Sequence, residues 1–166
     1  NALRIFDKQW FLLSAGDFAA GAFNTMTISW GGLGTVWGKP MATVFVRPTR
    51  YTFEFMNRGD SFTLCAFAEQ YRPALNLIGS RSGRAGDKIG EAKLTPEPAA
   101  RVAAPVFREA ELALECRIMY WDDLAAEHFL DADIMPCYPR HDYHRMYFGQ
   151  VVAASGTARY RRTDET

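Results

Sequence analysis

Apolar and polar positions come in short bursts along the chain, and most bursts are too brief for helices. Trp10–Ala15 is an apolar run ending at Gly16-Asp17, which predicts a first, buried strand. Phe18–Phe23 is small and loose and reads as a turn. Asn24–Trp30 then alternates: Thr25, Thr27 and Ser29 fall on one face, and Met26, Ile28 and Trp30 on the other. That is the period of a strand. Gly31-Gly32-Leu33-Gly34 breaks it, Gly38-Lys39-Pro40 closes the connection, and Met41–Val46 is the third strand. A helix is predicted over Thr49–Asn57, with Tyr51, Phe55 and Met56 facing inward and Arg58-Gly59-Asp60 ending it. Ser61–Phe67 is a fourth strand.

Tyr71–Gly79 predicts a second helix, with Pro73 in its first turn and Leu75 and Ile78 on one face. A Gly- and Ser-rich loop follows at Ser80–Asp87, and Asp87 is placed to cap a short helix reaching Lys93. Thr95–Pro105 is an Ala- and Pro-rich connector inside one domain spanning residues 1–166. Leu112–Trp121 reads as a strand, Asp122–Phe129 as an acidic helical turn, and Asp131–Tyr143 as irregular. Arg145–Ala154 is the last, half-buried strand, and Arg159–Thr166 is a charged tail. Short strands with interspersed helices, and no strand–helix–strand rhythm, predict a mainly β protein built as an antiparallel barrel.

Composition narrows the chemistry. The chain has 166 residues, enough for one sizeable core, and 19 basic residues balance 19 acidic ones. A net charge of zero argues against broad electrostatic binding to nucleic acid or an anionic membrane. Cys65, Cys116 and Cys137 show no pairing motif, no apolar run reaches bilayer-spanning length, and no signal-peptide pattern is present. A cytoplasmic location is therefore expected.

Two stretches carry the candidate chemistry. Small hydroxyls along Asn24–Trp30 let a flat ligand approach the backbone. Arg47–Thr52 is a polar helix start containing Arg47, Pro48, Thr49, Arg50 and Thr52, which offers N–H groups and positive charge to an anion. Ser80, Arg81, Ser82, Gly83 and Arg84, with Lys88, form a second anion-competent segment. Sequence does not allocate a phosphate between them. There is no Gly-x-Gly-x-x-Gly and no Gly-Lys-Ser/Thr motif. His141, Asp142, His144 and Cys137 lack ordered metal-ligand spacing, so no metal is assigned.

Four pieces in order, Asn24–Gly31, Arg47–Thr52, Gly79–Lys88 and Tyr143–Gly149, resemble the flavin reductase-like, FMN-binding split-barrel family, flavoredoxins included. The resemblance runs from about Phe11 to Val152. It implies a six-stranded antiparallel Greek-key split barrel, a homodimer, and FMN near the dimer interface. Asn24, Thr25, Met26, Thr27, Ser29 and Trp30 would then seat the flavin ring. The two anion segments would grip its phosphate or that of NAD(P)H. Many members carry Gly-Asp-His, four residues, then Gly, with that His beside the nicotinamide. Here His144 keeps the spacing to Gly149 and is the candidate catalytic residue, but Asp142-Tyr143 stands where Gly-Asp is usual. The implied function is NAD(P)H:flavin oxidoreductase. The alternative is an FMN electron carrier reduced by a partner protein.

Overall fold

The structure, a computed structural model, describes residues 5–160. Among these residues nine strands form: β1 Phe11–Asp17, β2 Ala22–Ile28, β3 Gly31–Val36, β4 Lys39–Val46, β5 Ser61–Ala66, β6 Pro96–Glu97, β7 Val106–Phe107, β8 Leu112–Asp123 and β9 Arg145–Gly156. Three α-helices decorate them: α1 Tyr51–Arg58, α2 Arg72–Ser80 and α3 Lys88–Glu91. Seven strands make one antiparallel sheet in the order β2-β1-β5-β8-β9-β4-β3, and β6 and β7 pair as a separate ribbon.

The strand order has a geometric consequence. β2 and β3 lie at opposite edges, yet only Ser29 and Trp30 separate them in the chain. Ile28 to Gly31 spans at most about 10 Å, at roughly 3.3–3.6 Å per residue. The sheet must therefore roll until its first and last strands stand near each other without pairing. This is an open barrel, and its split falls at Ser29-Trp30.

The apolar runs are continuous because the strands at the centre of the sheet are covered on both sides. Phe11, Leu13, Ala15, Phe62 and Leu64 face the barrel interior with Val44, Val46 and Tyr147. Leu12, Cys65 and Ala113 face the other way, into a second core closed by Leu75 and Ile78 of α2, Leu94 and Phe107. Each fully buried leucine contributes about 1.5–3 kcal/mol. Tyr147 is wholly buried and meets its polar requirement by donating its hydroxyl to Asn57 Oδ1 at 2.6 Å. No helix among the described residues is long and apolar enough to cross a membrane.

Several sequence expectations need correction. The sheet has seven strands, not six. The extra one is β3, where Gly31–Gly34 had predicted a break. Glycines hide strand periodicity because they carry no side chain to alternate. Pairing with β4 forms regardless, through a turn at Trp37-Gly38 in which both residues have positive φ, 51° and 69°. β2 ends at Ile28, so Ser29 and Trp30 are linker. On α1 the buried positions are Thr52 and Met56, four apart, while Tyr51 and Phe55 are half-buried. The helical turn expected at Asp122–Phe129 is reduced to a 3₁₀ turn at Ala126–His128, because β8 runs on to Asp123. Of the tail, Thr166 and its five predecessors lie outside the described residues.

Candidate functional site

The site grows from β2, which packs against both α1 and α2. Asn24 donates its side-chain amide to Thr52 Oγ1 at 2.7 Å, tying β2 to the first turn of α1. Thr27 donates its hydroxyl to the Leu75 carbonyl at 2.5 Å, tying the same strand to α2. Two glycines ease the close approach. A Cβ at Gly83 would stand 2.1 Å from Asn24 Oδ1, and one at Gly79 would stand 3.1 Å from Thr27 Cβ. The start of α1, the end of α2 and the loop 80–83 thereby meet over one strand.

Two depressions result, and they share Met26, Thr27 and Arg50. One, of about 220 Å³, sits at the split of the barrel, walled by Ser29, Trp30, Phe45, Arg47 and His144. The other, of about 140 Å³, is lined by Thr49, Thr52, Ser80, Ser82, Gly83 and Lys88 among others. Together they form an elongated cleft with an aromatic end and a polar, cationic end. The two anion-competent segments that sequence could not choose between are parts of the same wall.

The cations divide by partner. Arg47 reaches both carboxylate oxygens of Asp142, at 3.1 and 3.0 Å, and the Cys137 carbonyl at 2.7 Å. That contact holds the Asp142 carboxyl below the usual carboxylate range. Arg81 pairs with Glu91 at 2.6 Å. Arg84 pairs with Glu54 and lies over the Tyr51 ring, 4.5 Å from its centre. Arg50 has no carboxylate partner among the described residues, where its guanidinium makes a single long hydrogen bond, 3.5 Å, to the Gly79 carbonyl. Lys88 is buried and donates to the Ile78 and Arg81 carbonyls at 3.1 Å each. Burial, aided by Arg50, pushes its ammonium down to about 8. The start of α1 has no side-chain cap; Phe53 N–H donates to the Arg50 carbonyl at 3.0 Å, which leaves the Tyr51 and Thr52 N–H groups for a ligand.

At the aromatic end His144 is buried, with its ring 5.1 Å from that of Trp30 and Nδ1 2.8 Å from the Tyr138 hydroxyl. Burial first, then the Arg47 charge, pushes its imidazole down to about 4, so it is neutral near pH 7. The chemistry available is planar recognition by Trp30, His144 and Phe45, anion capture by Arg50, Lys88 and the start of α1, and hydrogen bonding from His144.

Most sequence-predicted residues gather here: Asn24, Met26, Thr27, Ser29, Trp30, Arg47, Thr49, Arg50, Thr52, Ser80, Arg81, Ser82, Gly83, Lys88 and His144 all line the cleft. Thr25, Pro48 and Arg84 do not. Thr25 is fully buried, accepting from Ser14 Oγ at 2.9 Å and donating to the Leu13 carbonyl at 3.2 Å. The row of hydroxyls on β2 is thus no open face, because β1 and α2 occupy its donors. Sequence reasoning missed Phe45, Tyr138 and the clamp of Arg47 on Asp142. Phe45 carries a readable signal, since it alternates with buried Val44 and Val46 on a strand. The Arg47–Asp142 pair spans 95 residues, and no local pattern announces it. His141 contacts the Tyr143 hydroxyl, Asp142 holds Arg47 and His144 holds Tyr138, while Cys137 is a free, exposed thiol, and no cluster of three or more metal-ligating side chains forms among the described residues.

Comparison with known proteins agrees with this architecture. No curated protein sequence matches the chain at a significant level. Among solved structures, flavoredoxin of Desulfovibrio vulgaris (Miyazaki F) superposes with a TM-score of 0.72 at 21% identity, over 93% of this chain and 73% of that one. Nitrilotriacetate monooxygenase component B from Bacillus cereus gives 0.72 at 18%, over 93% and 73%. An FMN-binding domain of a flavin reductases-like enzyme from Shewanella baltica OS155 gives 0.67 at 18%, over 92% and 71%. These identities speak to fold alone. The profile of the flavin reductase like domain matches residues 3–162, nearly the whole chain, and the chain therefore belongs to the flavin reductase-like family.

Proposed function

We propose that the protein is an FMN-binding oxidoreductase that uses NAD(P)H, with the flavin seated along the β2 cleft. The observation that carries this reading is the pair Arg50 and Lys88. They are two cations without carboxylate partners among the described residues, Lys88 at the polar end of the cleft and Arg50 where it meets the aromatic end. A flat ring with a phosphate tail matches both ends, and this chemistry fits the residues present.

Arg50, Lys88, Ser80, Ser82 and the uncapped start of α1 would bind the phosphate. Met26, Thr27, Ser29 and Trp30 would hold the ring and keep water from it. A bound flavin would supply the acceptor for a hydride from reduced nicotinamide. The protein contributes orientation and electrostatics: ring stacking at Trp30 and a neutral donor or acceptor at His144. A homodimer belongs to the same proposal. Trp37 and Tyr120 are 62% and 41% exposed, and both pack against Phe148 on the outer sheet face. A second copy covering that face would remove this surface from water.

A carrier role, with reduction by a partner protein, is the second reading. It is favoured by Asp142-Tyr143 in place of Gly-Asp, with Asp142 already committed to Arg47. The experiment is a visible spectrum of the FMN-loaded protein, followed by anaerobic NADH or NADPH. Bleaching by the nicotinamide supports the enzyme. Bleaching by dithionite alone supports the carrier. Failure to take up FMN sinks both.

A further inference from the structure

The hydrogen bond between Tyr138 and His144 has a direction that the surroundings decide. Tyr138 is only 3% exposed, and its hydroxyl has no other partner among the described residues. If Nδ1 carried the proton, the buried phenol proton would point at no acceptor. If the phenol donates to Nδ1, both groups are satisfied. A doubly protonated ring strands the phenol proton in the same way, since Nδ1–H would donate to the phenol oxygen and leave its proton without an acceptor. Charge agrees: Arg47 and Arg50 bear on the ring, and the one nearby carboxylate, Asp142, is held by Arg47 at 3.0 Å.

Tyr138 cannot readily turn away. Its ring stacks on Phe129 at 5.8 Å and 14°, touches Tyr143 at 5.0 Å, and lies under the Arg47 guanidinium, 5.2 Å from its centre. The other ring nitrogen, Nε2, has no hydrogen-bond partner among the described residues. No buried polar side-chain atom there lacks a partner, so Nε2 must be reached by solvent. The opening that His144 lines is the aromatic end of the cleft.

We infer that Tyr138 is a positioning residue that locks His144 as the neutral Nε2–H tautomer, making His144 a fixed hydrogen-bond donor to a carbonyl oxygen of the planar molecule in the cleft. In turnover this rests on the oxidoreductase reading, where that oxygen belongs to the nicotinamide carboxamide or the flavin pyrimidine. The tautomer itself does not depend on that reading. His144 then neither takes nor gives a proton. Its role is to register the ring.

The test is ¹⁵N spectroscopy of histidine-labelled, FMN-loaded protein, with the three histidines assigned by loss of the His144 signal in His144→Gln. The expected wild-type pattern is an unprotonated Nδ1 and a protonated Nε2, unchanged from about pH 5.5 to about pH 8.5. Tyr138→Phe keeps the ring and removes the hydroxyl. It is expected to give a mixture of tautomers and to raise the KM for NAD(P)H about tenfold, with kcat changed less and FMN content unchanged. An Nδ1–H pattern in the wild type overturns the inference. So does a Tyr138→Phe protein that keeps the fixed Nε2–H pattern and the wild-type KM. If the wild type does not oxidise NAD(P)H, the activity falls and the nitrogen pattern still decides the tautomer.

Discussion

Arg50 and Lys88 repel each other in the cleft, since the Arg50 charge helps depress the Lys88 ammonium. An anion seated between them relieves both. Arg50→Ala should weaken FMN binding by about 1.5–3 kcal/mol, the scale of a charged hydrogen bond, or roughly tenfold to a hundredfold in Kd. Quenching of flavin fluorescence on titration measures it, and an unchanged Kd would remove Arg50 from the site. Lys88 predicts a pH dependence. Its folded value of about 8 lies below the 10.5 of an exposed lysine, so the unfolded chain binds that proton more tightly. Stability of the ligand-free protein should therefore rise with pH between these values. A phosphate favours the charged form, so FMN affinity should fall as pH rises through about 8. Lys88→Met should flatten both curves in thermal melts and binding titrations; curves unaltered by the substitution would refute the linkage. Sequence marks Lys88 as a cation of the second anion-competent segment, but not as a buried one. Its burial under the Ile78 and Arg81 carbonyls is a contact between segments, which no local pattern encodes.

At the scale of the element, β3 shows how one strand can use the same residue type in two ways. Gly31 faces inward: a Cβ there would stand 2.6 Å from Phe6 and 2.7 Å from the Thr43 carbonyl. Gly32 and Gly34 face open space. Gly31→Ala should destabilise by about 1–3 kcal/mol through forced displacement of packed atoms. Gly32→Ala should be neutral or slightly stabilising, because a strand gains from a lower-entropy unfolded chain. Urea melts of the two variants compare them, and equal midpoints would show that β3 is not packed as described. The glycine run conceals this strand from pattern reading. By contrast β1, β5 and α2 announce themselves, because Phe11–Ala15, Ser61–Ala66 and the pair Leu75 and Ile78 bury the residues their apolar spacing marks.

For the whole molecule, the rolled sheet leaves an aromatic outer face beside the cleft. If a second copy covers it, sedimentation equilibrium should give about twice the 18.7 kDa chain mass. Trp37→Glu should shift the protein toward monomer by placing a charge in that contact. A wild-type monomer at micromolar concentration would refute the dimer. The amino-acid sequence by itself determined the mainly β class, the order of the larger strands and helices, and the residue types at both ends of the cleft. Those depend on apolar spacing and local turn chemistry, which act between near neighbours. Only the tertiary structure decided that β2 and β3 stand at opposite edges of one rolled sheet, and that the two anion segments share one wall. It alone joined Arg47 to Asp142 and Tyr138 to His144. These pairings depend on how the sheet closes, and a chain reveals its closure only when distant segments are brought into contact.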